Sequence, residues 1–216
     1  SFTTEDTQTN PGVAKGLTAK AVEDGAFAIF GPVFSGSIMV SMTESRRGEV
    51  PNFIGGEAAA ITKQGNPYVL RTSFTQETAM PKVARYIANG LKAKTVALIY
   101  VNNDFGKGGR DAIIKNLEGT GTKIVADIST EPLQVDFSAA VIRAKQSNAD
   151  AVFVYVTEEE SARILREFMI PQMAKAAGLK GEIQSVETEP VTLDLQGFLE
   201  LIEERERQGG AVLAPR

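Results

Sequence analysis

Ser35 and Ser37 stand directly behind an apolar run, residues 26–30, that stops at Gly31 and Pro32. After them Ile38, Met39 and Met42 recur at helical spacing, so the pattern predicts strand, sharp turn and helix. Two hydroxyls in the first turn of a helix lie beside unpaired backbone N–H groups and the positive end of the helix dipole. That combination can seat a carboxylate or a phosphate. A serine there also serves as a plain helix cap, and the local pattern leaves both readings open. Three carboxylates, Glu57, Asp104 and Glu158, are of a type that acid–base chemistry uses, but no spacing sets two of them as a pair.

The chain has no histidine and no cysteine. This removes Ser-His-Asp catalysis, thiolate nucleophiles, disulfides and His- or Cys-based metal sites. Neither metal nor cofactor is expected, and no enzyme activity. Gly106-Lys107-Gly108-Gly109 lacks the Gly-x-x-x-x-Gly-Lys-Ser/Thr spacing of a phosphate loop. A net charge of −4 argues against a nucleic-acid surface, which needs a basic excess. No apolar run reaches the roughly 18 residues of a membrane span, so direct membrane insertion is not expected. No signal peptide precedes Ser1, although a mature exported chain would have lost one.

The elements that must position these residues alternate. Pro11 opens a helix behind Asn10 as cap, with Val13, Leu17 and Ala21 on one face. A buried strand over 26–31, a helix over 36–47, a short strand over 51–54 ending at Gly55 and Gly56, and a strand over 68–74 follow. Met80, Val83, Ala84 and Ile87 mark a helix closed by Asn89 and Gly90. Then come strand 95–101, helix 107–118, strand 122–128, helix 136–147 and strand 150–156. Another helix begins near Glu158, and Pro171 is expected to end or kink it. Residues 186–195, a charged helix from Phe198, and 211–214 read as strand–helix–strand; the charge run 203–207 reads as a solvated helix face.

Continuous apolar strands alternating with helices make this an α/β chain with parallel sheets covered on both faces. Ligands in such folds sit beyond the carboxyl ends of the strands. Those ends are loops 31–37, 55–58, 102–106 and 157–160. The pattern divides into a first lobe over 1–76, a second over 77–182 and an atypical tail over 183–216. Two such lobes would enclose a cleft able to open and close.

Glu5-Asp6-Thr7-Gln8-Thr9-Asn10-Pro11 with its helix, then Ile29-Phe30-Gly31-Pro32-Val33-Phe34-Ser35, resembles the branched-chain amino-acid binding proteins. These are the type I periplasmic solute receptors of ABC importers. Val50-Pro51, Tyr68 to Thr72, Val96 to Tyr100, Asn103 to Gly108, Asp136-Phe137-Ser138 and Ala149 to Val152 extend the likeness over about residues 4–181. The resemblance implies a type I periplasmic-binding-protein-like fold of two three-layer lobes. It implies a small amino acid or related carboxylate in the cleft between them, a membrane ABC permease as partner, and a periplasmic or extracellular location.

By the same resemblance, Ser35 is the first-lobe ligand contact, with Ser37 beside it in the helix start. Gly55, Gly56 and Glu57 form a contact loop, Phe105 is the aromatic wall, and the second-lobe strand end falls on Tyr155-Val156-Thr157-Glu158, with Thr157 and Glu158 as its contacts. Glu57 replaces the small hydroxyl residue common there, and reads equally as a surface charge or as a partner for an ammonium group. Phe105 reads also as ordinary packing, and Thr157 and Glu158 also as helix caps. Gln76 stands where relatives often carry an acidic residue. Family members begin with a strand–helix–strand before the Asp-x-x-x-x-Pro region; the tail is expected to supply those elements in permuted order or, alternatively, to be unrelated sequence on a shortened receptor. Alternatives are a ligand-sensing regulatory domain of the same fold, with a stable dimer face on the first lobe, and a shortened receptor that no longer binds.

Overall fold

The computed structural model describes the backbone of residues 1–176 and the side chains of residues 1–169. Two three-stranded parallel sheets carry the fold, one ordered β1-β2-β3 and the other β5-β4-β6. The first comprises β1 (Ile29–Phe30), β2 (Asn52–Ile54) and β3 (Val69–Arg71). The second comprises β4 (Thr95–Val101), β5 (Lys123–Thr130) and β6 (Ala151–Tyr155). The helices are α1 (Pro11–Glu23), α2 (Ser35–Gly48), α3 (Ala60–Lys63), α4 (Gln76–Arg85), α5 (Asp104–Leu117), α6 (Ser138–Gln146) and α7 (Glu158–Ala176). Both sheets and α1 to α6 belong to one compact unit, Ser1–Arg163; Ile164–Arg216 is a second.

Local chemistry explains the helix starts. Asn10 Oδ1 accepts from the N–H groups of Gly12 and Val13, and Pro11 takes the first helical position. Thr75 and Thr78 form a reciprocal capping box at α4. Asn103 Oδ1 accepts from Gly106 N, so α5 begins three residues before the expected 107. Helix α4 runs into a π-helical turn, Tyr86–Gly90, at the expected Asn89-Gly90 stop. The four-residue α3 carries no sequence signal strong enough to have been foreseen.

Strand β4 matches the expected continuous apolar run. Its neighbours pair on both edges, and Val96, Ala97, Leu98, Ile99 and Val101 are all buried. The adjoining core gathers Met80, Ala84, Ile87, Ile113 and Leu117 from α4, the π turn and α5. Edge strand β5 instead alternates: Ile124, Ala126, Ile128 and Thr130 turn inward, while Lys123, Val125, Asp127 and Ser129 are exposed.

The first sheet departs from expectation. Of the run 26–31 only Ile29–Phe30 pairs, and Phe27 and Phe30 are 94% and 73% exposed rather than buried. The reason is topological: β1 is an edge strand with β2 as its only partner among the described residues. Strand β3 is likewise shorter than the expected 68–74. Pro171 does not end its helix, whose backbone continues to Ala176. The strand–helix–strand expected within 183–216 lies outside the described residues. Among the described residues no helix is long and apolar enough to cross a membrane, and no cluster of three metal-ligating side chains occurs.

Candidate functional site

A cavity of about 180 Å³ opens at the carboxyl ends of β1, β2, β4 and β6. Val33, Phe34 and Ser35 line it from the first sheet's side, with Gly55 and Glu57 from the loop after β2. Phe105, at the start of α5, and Val156, Thr157, Glu158 and Ser161, at the start of α7, line the opposite side. Six of the expected contacts therefore meet around one space: Ser35, Gly55, Glu57, Phe105, Thr157 and Glu158.

Ser35 is not the cap of α2. That position belongs to Phe34, which offers no side-chain bond. The first helical hydrogen bond runs from Ile38 N to Phe34 O, so the N–H groups of Ser35, Gly36 and Ser37 have no acceptor within the helix. The Ser35 hydroxyl accepts instead from Ala58 N, 3.2 Å away, and so ties the helix start to the loop after β2.

Polar bonds hold that loop almost residue by residue. Ser73 Oγ donates to Gly55 O, Arg71 donates to Gly56 O and Ala58 O, and Gln76 N donates to Glu57 O. Every carbonyl from Gly55 to Ala58 is thus occupied from within, while the N–H groups of Gly56 and Glu57 meet no acceptor among the described residues. Burial lowers the pKa of Arg71, against the opposing pull of nearby Glu57 and Glu77. Gly56 itself is buried and outside the cavity lining; a Cβ there would collide with Ile38 and Ile61, so its role is packing. Ser37 also lies outside the lining, and its buried Oγ has no hydrogen-bond partner among the described residues.

A second network crosses from one sheet to the other. The Tyr155 hydroxyl, at the end of β6, donates to Glu57 Oε2 at 2.8 Å. The Gln76 side chain, 2% exposed, donates to that hydroxyl at 3.2 Å and to Phe105 O at 2.7 Å. Burial foremost pushes the Tyr155 phenol above its ordinary range, so it keeps its proton and remains a donor. Phe105 stacks on Tyr155 with ring centroids 4.2 Å apart.

The Gly-Lys-Gly-Gly run of α5 finds its purpose here. A Cβ on Gly108 would collide with the Gln76 amide, and one on Gly109 with the Tyr155 ring. These glycines let the network pack against the helix.

At the α7 end, Glu160 is buried and accepts from Thr157 N and Leu133 N, 3.0 Å each. Glu160 therefore fixes the helix start, while the Thr157 and Ser161 hydroxyls have no protein partner among the described residues. Sequence reasoning gave Arg71 no role here; it placed Tyr155 at the second-lobe strand end and Gln76 where relatives often carry an acidic residue, without foreseeing the bonds that join them to Glu57 and Phe105. Each carried a faint signal, a polar group at the end of an apolar strand or at the first residue of a helix.

A profile of the family described as "Periplasmic binding protein" matches residues 1–189. The Leu/Ile/Val-binding protein of Citrobacter freundii is 28% identical over 183 residues, which cover 84% of this chain and 48% of that protein. A branched-chain amino acid transporter substrate binding protein from Streptococcus pneumoniae, solved with isoleucine, superposes with a TM-score of 0.71. It is 23% identical, with 83% of this chain and 50% of that one covered. An ABC transporter solute binding protein from R. palustris, solved with 4-hydroxybenzoate, gives a TM-score of 0.70 at 26% identity, covering 79% and 46%. The chain spans about half the length of the curated relatives it matches.

Proposed function

This chain belongs to the periplasmic binding protein family, and from that premise we propose that it binds a small amino acid or related carboxylate in the cavity between its two sheets. The family is one of solute receptors, not enzymes. The whole protein would act outside the cytoplasm and deliver its solute to a membrane ABC permease. The sheets would belong to two lobes, 1–76 and 77–182, that close on the ligand.

The observation that carries this reading is the arrangement of N–H groups. Ser35 at the α2 N-terminus and Glu57 on the loop after β2 line one side of the cavity, and the backbone N–H of neither meets an acceptor among the described residues, while the loop's carbonyls are all turned to other partners. Such a surface suits a carboxylate, with a helix dipole adding about 0.3–2 kcal/mol depending on burial. Across the cavity, the Phe105–Tyr155 stack offers an apolar wall, and Thr157 and Ser161 offer hydroxyls. The S. pneumoniae and R. palustris structures hold an amino acid and an aromatic acid respectively, and both types enter the proposal.

Thermal melts with L-isoleucine and with 4-hydroxybenzoate test the reading. A ligand of the native state at about 100 times its Kd adds roughly 2.7 kcal/mol, and the shift grows with concentration. A melting temperature unmoved by either compound, and by a panel of aliphatic and aromatic amino acids and acids, would overturn it.

A further inference from the structure

Within the reading just given, on which this step rests, the cavity carries a charge preference. Glu57 is the partly buried carboxylate of its wall, coming off the β2 loop rather than from the helix start. Its Oε2 is taken by the Tyr155 hydroxyl, and its Oε1 accepts no hydrogen bond from the described residues. Among the described residues no lysine or arginine lines the cavity; the other charged residue there, Glu158 at the exposed rim, is also acidic. Arg71 acts on Glu57 through space, but its guanidinium N–H groups point to Gly56 O, Ala58 O and Thr62 Oγ1.

A solute whose sole charge is a carboxylate would bring a second anion to this wall with no side-chain cation to offset it. An ammonium group meets the opposite situation: an oxygen already oriented by Tyr155, in a half-buried setting where a charged hydrogen bond counts for more than in water.

We propose that Glu57 is a specificity-determining recognition point for a cationic nitrogen, so that the cavity takes an amine-bearing solute and discriminates against the same skeleton without the amine. Tyr155 is a positioning residue: its hydroxyl fixes the rotamer of Glu57, and Gln76 in turn fixes the hydroxyl. Gly108 and Gly109 leave the room this stack requires.

Calorimetric titration with matched pairs tests this: L-leucine against isocaproate, and L-phenylalanine against hydrocinnamate, each acid being the amino acid without its nitrogen. The wild-type chain is expected to prefer the amino acid of the better-binding pair by about 10- to 100-fold, the worth of one hydrogen bond to a charged group. Glu57→Gln is expected to erase that preference, weakening the amino acid and strengthening the acid. Tyr155→Phe is expected to reduce the preference in part, with the wild-type ratio unchanged by Glu118→Gln, at an exposed carboxylate outside the cavity lining. Equal binding of acid and amino acid by the wild type, or a preference that survives in Glu57→Gln, overturns the inference and leaves the receptor reading standing. Binding of none of the four compounds overturns the inference, and the receptor reading falls with it only where the melts with L-isoleucine, 4-hydroxybenzoate and the wider panel are also flat. The wild-type ratio alone decides the matter should Glu57→Gln fold poorly.

Discussion

In the second sheet the middle strand β4 has seven residues, five of them buried, and a neighbour bonded along each edge. In the first sheet the middle strand β2 has three residues, and outer strand β1 leaves Phe30, and the segment before it Phe27, to solvent. The first sheet has a smaller apolar cluster, Ile38, Met42, Ile54, Ala58, Ile61 and Val69, and adds directed bonds to it: Arg71, Ser73, Gln76 and Ser35 each hold a named backbone atom of the loop at 55–58. Apolar burial is strong and non-directional, whereas hydrogen bonds fix position and orientation. The second sheet thus supplies stability, and the first supplies a backbone surface held in register for a ligand.

The largest effect should come from the second sheet. Leu98 is fully buried in β4 and belongs to the core with Met80, Ile87 and Ile113. Leu98→Ala should cost about 2–5 kcal/mol in chemical denaturation. A cost below about 1 kcal/mol would mean that this core is loosely packed, and the division of labour would fail at its stronger half.

An intermediate effect belongs to the first sheet. Ser35→Ala leaves the buried Ala58 N–H without its acceptor. The expected cost is about 1–3 kcal/mol, the penalty of an unsatisfied buried donor. Amide exchange at Ala58 should accelerate while exchange in β4 does not. Equal acceleration in both would show that the loop is not held independently of the core.

The same contrast explains what the sequence made legible. Strand β4 could be read because seven consecutive residues of one chemical type have one explanation, burial on both faces. Helix α1 could be read because Asn10 and Pro11 are local instructions. The segment 26–31 misled because an apolar run does not say how many neighbours its strand has. Ser35 was found by its type, but as a cap or ligand contact; the bond to Ala58 spans 23 positions and leaves no local trace. Tyr155 with Glu57 is harder still, since that bond spans 98 positions and neither residue type demands the other. The glycines of α5 were set aside as a failed phosphate loop, and their steric reason needs Gln76 and Tyr155 in place.

A smaller, pH-dependent effect separates the two ends of the second sheet. Asp150, just before β6, accepts from Lys94 N, Thr95 N and Thr95 Oγ1 at 2.8, 2.9 and 3.1 Å. These bonds, the one from Lys94 N foremost, hold its carboxyl below the ordinary carboxylate range. A folded-state pKa below the unfolded one gives stability that is present above the unfolded value, about 3.9, and is lost as pH falls through the folded value. Acid should therefore weaken the amino-terminal junction of β4 and β6 first. Asp150→Asn should flatten the fall in melting temperature below about pH 4. An unchanged acid profile would show that this clamp is not formed in solution.

The smallest effect is expected at the outer strand of the first sheet. Phe30 is 73% exposed and stacks on Phe53 with centroids 5.0 Å apart. Alanine at position 30 forfeits that stack, worth about 0.5–1.5 kcal/mol when buried, and little burial besides. Phe30→Ala should accordingly cost less than about 1 kcal/mol, well under Leu98→Ala, although it removes the larger side chain. The comparison turns on exposure and not on size. A measured loss above about 2 kcal/mol, of the order found for fully buried side chains, would require that something covers this face of β1 in solution. The first sheet would then be as firmly packed as the second, and its polar ties would no longer be needed to explain how the loop at 55–58 is held.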